Sequence, residues 1–150
     1  MANDIGLKSY QDIEMPKEAP NPILTWTDEE WRRARDEALV EIFKDVLEVQ
    51  EETGTQLWFG WAAHVNEVEV YAPKGADTWA ESNHEHEYIV RVIYFERDED
   101  PFDTAARIRE NILDWRDRKL AVKRIERLRT EIRKMKEAIE ELEEKYGKEN

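Results

Sequence analysis

With 150 residues the chain suits one compact domain plus an extension, since a typical domain runs to roughly 100–150 residues, and two catalytic domains are excluded. Charged residues make up 39% and apolar ones 40%, and six Trp, five Tyr and four Phe supply enough aromatic surface for a folded core, which excludes wholesale disorder. The net charge of −13 disfavours nonspecific binding to DNA, RNA or anionic membrane, because Lys and Arg drive those contacts, and the absence of Cys removes disulfides and thiolate metal sites.

The charge is uneven. Residues 116–150 hold twelve Lys and Arg against nine Asp and Glu, so +3 there leaves −16 for residues 1–115. An acidic body carries a locally basic arm. No run approaches the roughly 20 apolar residues of a membrane span, and MANDIGLKSYQDIEM lacks the basic-then-apolar plan of a signal peptide. Together with the missing Cys this sets the expected location as cytoplasmic, with no membrane and no direct nucleic-acid partner.

Residues 1–24, with Pro16, Pro20 and Pro22 and no sustained period, are expected to form a flexible or surface-bound tail. Thr27-Asp28-Glu29-Glu30 then has the spacing of a capping box, with Trp26 where a hydrophobic staple sits. Trp31, Ala34, Ala38, Leu39, Ile42, Phe43, Val46 and Val49 recur near the 3.6-residue period of an amphipathic helix, which sets Arg32, Asp36, Glu41, Asp45 and Glu48 toward water. Gly54 is its predicted stop.

Three strands follow. In TQLWFGWAAHV, Leu57, Phe59 and Trp61 alternate with Trp58, Gly60 and Ala62. NEVEVYA places Val68, Val70 and Ala72 inward and Glu67, Glu69 and Tyr71 outward, with a hairpin around Asn66. APKGADTWAESNHE reads as a loop, and EYIVRVIYFER as the third strand, closed by the polar turn RDEDP.

From Asp103 to about Tyr146 the chain contains no Gly or Pro. Ile108, Ile112, Trp115 and Val122 form one apolar stripe that should cover the sheet. Beyond it Ile125, Leu128, Ile132, Met135, Ile139, Leu142 and Tyr146 are spaced 3, 4, 3, 4, 3, 4, an a/d heptad seam with Ile at a and Leu or Met at d. The stripes differ in register, which predicts a phase change or bend near Arg116 to Leu120.

The fold expected is α+β: a three-stranded antiparallel sheet packed by an N-terminal helix and a long C-terminal helix, in the order α-β-β-β-α, extending into a coiled coil. Residues 25–115 form the domain and 116–150 the helical extension. Double-stranded-RNA-binding domains share the order, but their basic helix start is missing here and the body is acidic, which argues against that function. The order followed by a coiled coil also resembles the plan of some small phage proteins that inhibit bacterial defence systems, which implies an accessory inhibitor.

Candidate sites are few. No nucleophile motif or phosphate loop is present, and the leading expectation is a non-enzymatic protein-binding module. Trp58, Trp79 and Tyr71 with Glu67 and Glu69 are the candidate partner-binding residues, because large amphipathic aromatics anchor interfaces. Ile125, Leu128, Ile132, Met135, Ile139 and Leu142 are the candidate residues for homodimerisation or higher self-association. Carboxylates from Asp28 to Glu52 also suit imitation of nucleic-acid phosphates, which would make the partner a basic nucleic-acid-binding enzyme. No cofactor is implied by a motif. The alternative is a small-ligand or metal-binding protein, or an enzyme built on that site, in which His84 and His86 stand about 7 Å apart on one strand face and chelate a divalent ion with His64 as third ligand, beside the neighbouring aromatics.

Overall fold

In the computed structural model residues 22–147 are described, so all but the last three residues of the expected tail lie outside them. A 3-10 turn, Pro22–Thr25, leads into α1, Asp28–Thr53. Thr27 caps it as its sequence requires: the Glu30 amide donates to Thr27 Oγ1 at 3.0 Å, and the Thr27 amide donates to Glu30 Oε1 at 2.7 Å. Gly54 ends it with φ 69°, a left-handed conformation open to glycine at no steric cost.

Strands β1 (Trp58–Ala62), β2 (Glu67–Pro73) and β3 (His86–Tyr94) form an antiparallel sheet in the order β1-β2-β3. The β1–β2 hairpin turns at Asn66, φ 57°, whose side-chain oxygen accepts from Arg35 Nη1 at 2.9 Å. The Arg35 guanidinium lies 5.7 Å from the Trp31 ring and 5.3 Å from Trp61, so cation–π contacts fasten the hairpin to α1.

A long helix, α2 (Pro101–Leu142), follows, and a π-helical turn, Glu143–Gly147, ends it. Asp100 caps α2 by accepting from the Phe102 amide at 2.9 Å, and Pro101 takes the first helical position, where its missing N–H costs nothing. The chain is therefore α+β with a three-stranded antiparallel sheet between an N-terminal helix and a long C-terminal one. No helix among the described residues is long and apolar enough to cross a membrane.

Both helices cover one face of the sheet. Ile42, Val46 and Val49 of α1, Val68, Val70 and Ala72 of β2, Val90 of β3, and Ile108 and Ile112 of α2 are buried together. Fully burying one such side chain contributes roughly 1.5–3 kcal/mol. Trp115 closes one end of this core while its indole N–H donates to Glu87 Oε2 at 3.1 Å.

The helical period alone misplaces three residues. Asp45 is buried, because its side of α1 meets α2, where Arg109 Nε donates to Asp45 Oδ2 at 2.6 Å. Phe43 is exposed over much of its surface and rests on Phe59 at the rim of the sheet, 5.6 Å between ring centroids. Val122 is also exposed, since the domain no longer reaches its side of α2. Nor does α2 break between Arg116 and Leu120. It stays one helix, and polar groups carry its packing onward: Arg116 pairs with Glu52 at 3.3 Å, and Lys119 and Lys123 reach the loop after β2.

Candidate functional site

The sheet face turned away from the helices is aromatic. Trp58 stands opposite Tyr71 in the β1–β2 register, and Tyr71 opposite Tyr88 across β2 and β3. Tyr71 is the hub. Its ring stacks on Trp58 at 5.6 Å and 24°, meets Trp79 edge-on at 6.0 Å, and lies 4.5 Å from His86 and 5.4 Å from Tyr88. Trp58 is 48% and Tyr88 43% exposed, so the cluster presents ring surface to solvent. Arg91 lies over Tyr88 at 5.2 Å.

Gly60 leaves room for the stack. A Cβ there would come within 3.1 Å of Trp58 Nε1 and 3.3 Å of Glu69 Cγ, so a side chain at this point would push the indole and the glutamate chain aside by a few tenths of an ångström. Glu67 and Glu69 flank the rings on β2, both half-buried. Burial, then the charge of Glu69 and the proximity of Tyr88, pushes the Tyr71 hydroxyl above its ordinary value.

The loop after β2 delivers Trp79, and it is held firmly. The Gln56 amide donates to the Asp77 carbonyl at 2.8 Å, and the Trp79 amide to Gln56 Oε1 at 2.9 Å. Thr55 Oγ1 donates to Asp77 Oδ1 and Lys123 Nζ to Asp77 Oδ2, both at 2.8 Å. Lys123 Nζ also donates to the Thr53 carbonyl at 2.6 Å, placing a cation at the C-terminus of α1 where the helix dipole favours it. Burial pushes the Asp77 carboxyl up, but hydrogen bonds from Lys123 and Thr55 and the charges of Lys119 and Lys123 outweigh it and hold the group below the usual carboxylate range.

Trp58, Tyr71 and Trp79, with Glu67 and Glu69, thus meet on one surface, and His86 and Tyr88 belong with them. The three histidines do not converge. His64 lies in the β1–β2 turn, whereas His86 pairs with Pro73 at the far end of β2, a span of about 20 Å for seven residues of strand. His84 precedes β3 in a left-handed turn, φ 64°, so the spacing of a shared strand face does not apply to it. His86 packs on Tyr71 and Tyr88 instead. Among the described residues no three His, Asp or Glu side chains are grouped to hold a metal ion.

The second surface is the arm. Past Lys123, no hydrogen bond or ion pair among the described residues ties α2 to the rest of the fold, and its seam is uncovered: exposure runs from 42% at Leu128 to 60% at Tyr146. Arg133 and Glu137, 3.6 Å apart, brace its outer side. Comparison with protein-family models, curated proteins and solved structures yields no match.

Proposed function

We propose that this chain is a non-enzymatic, self-associating protein-binding module. Two copies join through α2 beyond Lys123, and each sheet offers its aromatic face to a partner protein. The observation that carries this reading is the heptad seam, whose seven apolar side chains from Ile125 to Tyr146 stay exposed while the core beneath the sheet is filled. A soluble helix gains nothing from such a stripe unless a second helix covers it.

The chemistry of the sheet face supports the choice of partner. Exposed Trp and Tyr rings suit guanidinium and ammonium groups, the glutamates beside them repel phosphates, and the −16 carried by residues 1–115 attracts basic surfaces over a Debye length. A basic protein, such as a nucleic-acid-binding enzyme whose groove the acidic body would occupy, fits this chemistry, and so does the role of accessory inhibitor.

Sedimentation and native mass measurement test the assembly. Wild type is expected at a multiple of the 18.0 kDa chain and Ile132→Asp at one chain, with an unchanged circular-dichroism signature of the domain. An Ile132→Asp variant that keeps the wild-type mass would overturn the reading.

A further inference from the structure

Resting on the self-association proposed above, the charges beside the seam decide how two arms meet. With Ile125 at a and Leu128 at d, the e positions are Arg129, Lys136 and Glu143, and the g positions Arg124, Glu131, Ala138 and Lys145. In a parallel pair each g residue flanks the e residue five places on in the other chain. Arg124 then faces Arg129 twice and Glu131 faces Lys136 twice, so repulsion cancels attraction. The whole arm fares worse. Residues 116–136 hold ten Lys and Arg against three Asp and Glu, residues 137–147 hold five Glu against one Lys, and a parallel pair lays like against like.

In an antiparallel pair a layers on d, while e flanks e and g flanks g. The register that layers Leu128 on Tyr146, Ile132 on Leu142 and Met135 on Ile139 puts Arg129 of one copy beside Glu143 of the other, and Glu131 beside Lys145, each twice. Lys136 against its own copy on the two-fold axis is the one like-charge contact. Arg133 and Lys134 also lie along Glu140 and Glu141. Sliding back one heptad, to layer Ile125 on Leu142, destroys this pattern: Arg129 then meets Lys136 and Arg124 meets Lys145.

Ile at a with Leu at d suits parallel pairs, a preference that Met135 and Tyr146 dilute and that four complementary contacts oppose. The domain does not obstruct the pair, because α2 leaves it after Lys123, before the first layer. The last turn is π-helical in the single chain, and this register requires it to tighten to α so that Tyr146 reaches Leu128. We infer that two copies of this chain pair through antiparallel arms in the Leu128–Tyr146 register, the basic half of each lying along the acidic half of the other.

Arg129→Glu gives opposite signs for the two orientations. Arg129 is exposed, so the fold is untouched. In the antiparallel pair two attractions become two repulsions, and the dimer Kd rises about tenfold. Adding Glu143→Arg restores it. In the parallel pair the same change relieves the Arg124 repulsion, and Kd falls. The chain has no Cys, so Glu126→Cys takes a single nitroxide label. The antiparallel register separates the two labels by about 22 residues of helix, ~33 Å along the axis, and a parallel pair holds them within roughly 20 Å, two helix diameters. A dimer with an unchanged or lowered Kd for Arg129→Glu, or with the short distance, would overturn the antiparallel register and leave self-association standing. A monomeric wild type would overturn both.

Discussion

Asp77 is the point at which the loop, the end of α1 and the root of the arm are tied together, so Asp77→Asn tests whether that tie matters. The asparagine keeps the backbone bond from Gln56 and a side-chain acceptor for Thr55, but it removes the charge facing Lys123 at 2.8 Å and Lys119 at 3.4 Å. Hydrogen bonds to charged groups contribute about 1.5–3 kcal/mol when screened little. The Asp77 side chain is 38% exposed, so solvent reduces the expected loss to about 1 kcal/mol, or roughly 3–5 °C in Tm for a chain of this size. The pH dependence has a definite sign. A carboxyl whose folded pKa lies below its ordinary 3.8 contributes stability at pH above that value and loses it as pH falls through the lower, folded one. Urea unfolding of both proteins, followed by helical circular dichroism, should show the full gap at pH 7 and a shrinking gap as the solution is acidified below about pH 4. Equal stability at pH 7, or a gap that persists undiminished in acid, would refute the role given to the carboxylate.

Arg109→Met should cost about 2 kcal/mol, since it strips the nearly buried Asp45 of its partner at 2.6 Å; adding Asp45→Leu should recover most of that loss, and thermal unfolding of the cycle reads the coupling. Gly60→Val should push the Trp58 indole off Tyr71, raising collisional quenching of tryptophan fluorescence while the mass in solution stays at the wild-type value; unaltered quenching would mean that the ring does not depend on the space over Gly60.

Features settled by neighbours in sequence were legible before any coordinates. Thr27 and Glu30 form the capping box their spacing announces, Gly54 stops α1, and Val68, Val70 and Ala72 turn inward as a two-residue period demands. Features settled by what lies across the fold were not. Asp45 and Phe43 both sit at the margins of the α1 stripe, and only the position of α2 decides that the acid goes under and the aromatic stays out. On β3 the alternation is broken by register shifts between Val68 and Val70 and between Val70 and Tyr71, so Val90 and Ile93, three residues apart, face inward residues of β2. Trp58, Tyr71 and Trp79 carried a visible aromatic signal, yet their meeting with His86 depends on pairing across the sheet and on a loop fixed by Asp77. Gly60 gave only the weak hint of a glycine inside a strand, where another group often approaches closely.

On the proposed reading, the orientation of the arms decides what the two aromatic faces of a pair are worth to a basic partner. In the antiparallel register, residue 115 of one copy lies about 44 helical residues from its equivalent in the other, ~66 Å along the axis, so the two domains stand at opposite ends of a rod. A small partner domain is only about 30 Å across. One such partner cannot span both aromatic faces, and a second face on the same dimer adds nothing to its affinity. A partner that repeats its basic site at matching separation, in an oligomer or along a filament, gains effective concentration at the second contact, and its affinity then exceeds that of a single domain without any new interaction. In a parallel pair the domains would sit together and the preference would reverse toward closely spaced sites. Binding of Ile132→Asp therefore separates the cases: it should match wild type on an isolated monomeric partner and fall well below it on an extended, repeating one.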